Sequence, residues 1–183
     1  LRLLSTGNYN IAIGANTLAA SATFSSNTAV GQAVLNANES NNNSGFGFNA
    51  LLANTTGTQN TARGAYALDA NTTASNNTAV GRFALNENVT GTENTAMGLS
   101  ALRVNTANYN TAFGKSALEL NTSGNPNDAF GAYTLDANTT GSNNVAIGYA
   151  ALTANTTASN NVAVGNNTLA ANTTGAQNTG LGH

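Results

Sequence analysis

The sequence predicts an all-β chain: a parallel β-solenoid, or β-roll, of about eleven coils with 17 residues each. Three observations predict it. Glycine recurs in phase at Gly14, Gly31, Gly47, Gly64, Gly81, Gly98, Gly114, Gly131, Gly148, Gly165 and Gly182, always 17 residues apart except for two steps of 16. A leucine stands four residues after the glycine in all ten complete units, and asparagine recurs at two further fixed places. Each unit also alternates short β-prone runs with turn-rich blocks of Asn, Thr and Gly.

With the glycine numbered place 0, the unit reads G-x-x-A-L-x-A-N-T-T-G-x-x-N-T-A-V, most plainly at residues 131–147 and 148–164. The run N-T-A-V-G is short, partly β-branched and ended by glycine, and predicts one strand. The run A-L-x-A-N predicts a second. The block T-T-G-x-x between them predicts a turn. Helix is excluded by the density of Gly, Asn and Thr and by the interruption in every unit. Seventeen residues are also too few for the helix pairs or propeller blades of the common repeat families. Both 16-residue units are shortened between places 7 and 13, at 38–43 and 105–110, where a surface turn tolerates deletion. The one proline, Pro126, falls in the same turn. The whole of 1–183 reads as a single repeat domain with a partial coil at each end. The first partial coil opens at place 4 with Leu1 and Arg2, the last closes on His183, and neither carries a capping unit.

In such a coil, residue i lies beside residue i+17, so identical residues stack. The Leu column (Leu18, Leu35, Leu51, Leu68, Leu85, Leu102, Leu118, Leu135, Leu152 and Leu169) is the expected apolar spine. Place 13 is asparagine throughout: Asn10, Asn27, Asn43, Asn60, Asn77, Asn94, Asn110, Asn127, Asn144, Asn161 and Asn178. Place 7 is asparagine in nine units of ten, Ser21 being the exception. Stacked asparagines can donate amide to carbonyl as in cross-β ladders, and they suit left-handed corners. Both columns are therefore expected to be corner ladders. Side chains at places 14 and 16 share one strand face, and place 15 takes the other. The apolar residues at place 16, from Ile13 and Val30 to Leu181, are expected to face the leucines. Ala or Gly at place 15 would then lie outside, where small residues admit another surface. Arg63 interrupts column 16, and an unpaired buried cation is costly, so it should reach solvent or an acid, including one on another chain.

Composition excludes several functions. Charged residues make up 7% of the chain, and asparagine, at 34 residues, replaces them. A net charge of −2 with scattered basic residues is no footprint for nucleic acid. No apolar run reaches a membrane span, so no membrane insertion is expected. Disorder is a poor reading, because a disordered polar tract does not hold leucine and asparagine columns in phase. The absence of cysteine rules out disulfide and cysteine–zinc frameworks.

Asn77-Thr78-Ala79-Val80-Gly81 with Ala84-Leu85, Asn144-Val145-Ala146-Ile147-Gly148 with Ala151-Leu152, and Asn161-Val162-Ala163-Val164-Gly165 resemble the head repeats of trimeric autotransporter adhesins, the YadA-like head family, and related phage and bacterial fibre repeats. The resemblance spans essentially the whole chain. It implies a left-handed roll, a homotrimer, and a place on an extracellular or virion fibre. The turn N-T-T-G-x-x is longer here than in that family, and no binding residue carries over.

Catalytic, cofactor and metal sites are not expected. The acids Glu39, Asp69, Glu87, Glu93, Glu119, Asp128 and Asp136 are dispersed, and Asp69, Glu119 and Asp136 share place 5 on what should be solvated surface. His183 is terminal and has no partner for catalysis or metal binding. The triplet N-x-[ST] recurs at Asn54, Asn71, Asn88, Asn121, Asn138, Asn155 and Asn172, all at place 7, and would form a regular glycosylation stripe where such a system exists. The expected function is structural: an extracellular fibre or filament built from copies of the chain, laterally and head to tail. The alternative is an adhesin or phage-fibre segment binding a glycan or host-surface receptor. Third comes an ice-binding solenoid, from the place-14 threonines Thr28, Thr61, Thr78, Thr95, Thr111 and Thr179, a column expected to face inward.

Overall fold

The structure is a computed structural model that describes residues 7–20 and 23–183. Leu1, Arg2 and Ser21 lie outside the described residues. Eleven strands, one per coil, form a single parallel sheet in sequence order. They are β1 (Ile11–Ile13), β2 (Thr28–Val30), β3 (Ser44–Phe46), β4 (Thr61–Arg63), β5 (Thr78–Val80), β6 (Thr95–Met97), β7 (Thr111–Phe113), β8 (Asn127–Phe130), β9 (Asn144–Ile147), β10 (Val162–Val164) and β11 (Thr179–Leu181). Register follows the repeat: Ala79 pairs with Ala96 one 17-residue coil on, and Ala96 with Ala112 across a 16-residue coil. The chain is thus the all-β solenoid that the glycine spacing predicts.

The predicted second strand is absent. The A-L-x-A-N run is a chain of turns in which places 2 and 4 are left-handed, as at Phe83 (φ 60°) and Leu85 (φ 48°). Its backbone groups still bond between coils: the Leu85 N–H donates to the Ala101 carbonyl at 3.0 Å, and the Phe83 N–H to the Ala65 carbonyl at 3.1 Å. Alternating left- and right-handed residues curl the chain tightly while the N–H and C=O groups stay along the solenoid axis. A flat strand cannot do both within 17 residues. Left-handed leucine is unfavourable by about 1–2 kcal/mol per residue, so packing must hold it there.

Place 0 shows why the repeat begins with glycine. Gly131 has φ 136°, and a Cβ on it would lie 2.6 Å from the Gly148 carbonyl oxygen of the next coil. No side chain fits that approach.

The core is the Leu column. Leu18 to Leu152 are buried, and Leu169 is half-buried against the same cluster. The strands present the opposite face to the one predicted. Ala29, Ala62, Ala79, Ala96, Ala112, Ala129, Ala146 and Ala163 at place 15 are fully buried, whereas places 14 and 16 face outward. The reason is size: a coil filled by one leucine leaves room only for a methyl group across from it. Coil volume is balanced locally. Where place 3 is Val34, place 15 of the next strand is Gly45, and a Cβ there would collide with the Val34 side chain.

The two short coils have lost a residue between places 7 and 10, as their sequence predicts. In long coils the Asn54 amide reaches the Gly57 carbonyl, three residues on, at 2.9 Å. In short coils Asn38 and Asn105 reach Ser40 and Ala107, two residues on, at 2.7 Å. Pro126 is exposed in the corresponding turn.

Candidate functional site

Asparagine at place 7 forms the predicted amide ladder. Asn71 Nδ2 donates to Asn54 Oδ1 at 2.7 Å, and Asn138 Nδ2 to Asn121 Oδ1 at 2.8 Å. The same Nδ2 also donates to the carbonyl of its own turn, as Asn138 does to Gly141 at 3.0 Å. The place-13 ladder makes the predicted amide-to-carbonyl bonds at Asn94, Asn127, Asn144 and Asn161, whose Nδ2 donates to the preceding Oδ1 at 3.1–3.4 Å, and adds bonds to the backbone. Each Oδ1 accepts the next asparagine's backbone N–H: Asn60 Oδ1 from the Asn77 N–H at 3.0 Å, and Asn77 Oδ1 from the Asn94 N–H at 2.9 Å. Each Nδ2 braces the facing turn, as Asn77 does to the Gly91 carbonyl at 2.8 Å. Neither column is left-handed; the left-handed corners are places 2, 4 and 12. Buried amides with full partners stabilise a narrow coil that has little apolar volume.

This wiring removes the glycosylation stripe from the surface. Asn54, Asn71, Asn88, Asn121, Asn138 and Asn155 are buried, with Nδ2 engaged in the turn and ladder. Asn172 is half-buried, and its Nδ2 donates to the Gly175 carbonyl. In the folded coil these asparagines are interior posts.

The outward sheet face is the surface with most to offer a partner. Along column 16 it presents Ile13, Val30, Phe46, Arg63, Val80, Met97, Phe113, Phe130, Ile147, Val164 and Leu181, all at least partly exposed. Phe46, Met97, Phe130 and Ile147 are 38–42% exposed on an otherwise regular strand face. Sequence reasoning placed these residues in the core. The signal it missed is the size contrast: a column mixing Val, Phe, Met and Arg cannot fill one constant cross-section, whereas a column of only Ala and Gly can. Arg63 reaches solvent, with its guanidinium 5.9 Å from the Phe46 ring. Column 14 also faces out, contrary to expectation. Thr61, Thr78, Thr95 and Thr111 form an uninterrupted run on it, and Asp128 follows.

Beside the sheet, places 1 and 2 carry a second apolar edge. Phe48, Tyr66 and Phe83 pack ring against ring at 5.2 and 5.3 Å, and Arg82 covers Phe83 at 4.4 Å. Lys115 lies 5.0 Å from the Tyr133 ring.

The acids at place 5 form no constellation. Arg103 bridges Glu87 and Glu119 across successive coils. Asp136 accepts from the Thr153 hydroxyl at 2.6 Å. Asp69 is only partly solvated: its Oδ1 is buried without a partner, and burial raises its pKa above the usual carboxylate value. Among the described residues no group of three or more His, Asp or Glu converges in a way that could hold a metal ion. Among the described residues no helix is long and apolar enough to cross a membrane. Comparison of the chain with protein-family models, with curated proteins and with solved structures finds no match in any of the three.

Proposed function

We propose that the chain is a non-catalytic structural repeat of an extracellular fibre or filament, built by lateral self-association through the outward sheet face and by end-to-end continuation of the coils. The supporting observation is the apolar stripe of column 16. Eleven strands at about 4.8 Å make it about 50 Å long, and with column 14 it covers about 500 Å². That is at the upper end of what a monomer leaves open, and such stripes mark interaction surfaces. A partner buries these side chains, and the constant repeat keeps the contact uniform along the fibre. The YadA-like resemblance supports the lateral self-association of a left-handed roll.

Sedimentation velocity over a concentration series, followed by negative-stain microscopy, tests the reading. Concentration-dependent assembly and long uniform filaments are expected. A monomer at all concentrations overturns it. The second reading, a segment binding a glycan or host-surface receptor, is favoured by the aromatic edge at Phe48, Tyr66, Phe83 and Tyr149 with Arg82 and Lys115 beside it. Glycan-array binding that is lost in Phe83→Ala would select it. The outward Thr61–Thr111 run keeps ice binding third, because Arg63, Met97 and Phe113 break the flatness beside it; thermal hysteresis would reveal it.

A further inference from the structure

Two charges stand on the outward sheet face: Arg63 in β4 and Asp128 in β8. They are four strands apart, about 19 Å along the axis. In any in-register bundle of parallel chains, two or three, Arg63 meets Arg63 at one height and Asp128 meets Asp128 at another. Like charges brought together and desolvated in an apolar interface are unfavourable by several kcal/mol. We propose, building on lateral association through this face, that its occupant is a second copy of the chain lying antiparallel along the solenoid axis, with β6 on the two-fold.

That arrangement brings β4 of one chain over β8 of the other, twice by symmetry, so each Arg63 in column 16 lies diagonally across from an Asp128 in column 14, about 7 Å along the facing strand and within reach of the arginine side chain. The same operation sets Phe46 over Ile147, Val80 over Phe113 and Met97 over its own copy, and it pairs each of the eleven strands with a partner strand. Large residues thereby oppose smaller ones. Both faces together bury about 1,000 Å², the lower bound for a specific interface, so the two ion pairs decide the orientation. A parallel shift of four strands would also oppose the charges. It does not close, and it makes one pair per contact instead of two.

The chain has no cysteine, so a nitroxide on Val30→Cys is unique. In the antiparallel pair, labels in β2 of the two chains are eight strands apart, and dipolar spectroscopy on the assembled full chain reads about 40 Å. In-register parallel chains read under about 20 Å and overturn the orientation while leaving lateral association intact. Monomers in sedimentation overturn both. Arg63→Glu and Asp128→Lys each weaken the dimer at least about tenfold, and the double exchange restores it to within about threefold. Single reversals without effect overturn the pairing. Both residues face outward, so far-UV circular dichroism of the variants should match the parent.

Discussion

Exchanging bulk between Val34 and Gly45 tests the inward orientation of the alanine column directly. Gly45 is buried, its φ is not left-handed, and a Cβ on it would collide with the Val34 side chain and lie 3.7 Å from Leu35 Cγ. Gly45→Ala therefore overpacks a closed coil and should destabilise it by about 1–3 kcal/mol. Val34→Ala removes two buried methyl groups, about 1.6 kcal/mol of transfer free energy with a cavity contribution on top. The double variant recreates the Ala/Ala combination that the next coil uses at Ala50 and Ala62, and it gains backbone rigidity from losing a glycine. It should lie within about 1 kcal/mol of the parent, giving a coupling of about 2–3 kcal/mol. Equilibrium urea denaturation followed by far-UV circular dichroism measures all four chains. If place 15 faced outward, Gly45→Ala would be neutral or stabilising by about 0.4–1 kcal/mol and the two changes would add. That outcome refutes the packing described here.

At Leu85 the left-handed backbone makes glycine no worse than alanine. The methyl and entropy costs of glycine, about 1.5 kcal/mol together, are offset by relief of about 1–2 kcal/mol, so Leu85→Gly and Leu85→Ala should denature together. At right-handed Ala84, by contrast, Ala84→Gly should show the full loss, and the same loss at both sites would refute the left-handed leucine. Gly131→Ala should cost about 3 kcal/mol or more, seen as a lowered denaturation midpoint, because strain and the Gly148 carbonyl act together. Asp69→Asn should raise the midpoint at pH 7 but not below about pH 3.8. A raised folded-state pKa means the native carboxyl holds its proton more tightly than the unfolded one; Asp69 therefore costs stability above its folded pKa, and the cost vanishes below the unfolded value. The new amide can bond as Asn86 does, whose Nδ2 donates to the Tyr66 carbonyl at 3.1 Å. Asn77→Ala should lower the midpoint by about 2 kcal/mol, because the buried Asn94 N–H loses its acceptor while the Gly91 carbonyl keeps only Asn88 Nδ2.

The period, the strand N-T-A-V, the leucine spine and the buried asparagines were legible because each is a column, and stacking turns a column into a contact. Which strand face points inward was not legible from hydrophobicity. Val80 and Met97 are more apolar than Ala79 and Ala96, yet the alanines take the interior because the coil is narrow. Volume constancy was the better guide, and the Val34–Gly45 exchange recorded it in the sequence. The left-handed leucines were hidden because propensity counts against them: only the inter-coil bonds made by alternate N–H groups around the arc make that conformation the stable one. The asparagine ladders were foreseen in place, whereas the backbone-to-Oδ1 wiring at place 13 depends on a turn geometry that spacing does not specify. The burial of the N-x-[ST] asparagines was not legible, since a triplet carries no information about burial.

Because the hydrogen bonds between coils all lie along the long axis, the solenoid has an unusual response to tension. Load applied end to end falls on one rung of bonds at a time, not on all of them in shear. Each coil that opens frees 17 residues of slack, about 58 Å of extended backbone in place of a rise of about 4.8 Å. Pulled hard, such a thread yields by paying out length coil by coil, and it dissipates work at each step while the remaining rungs stay closed.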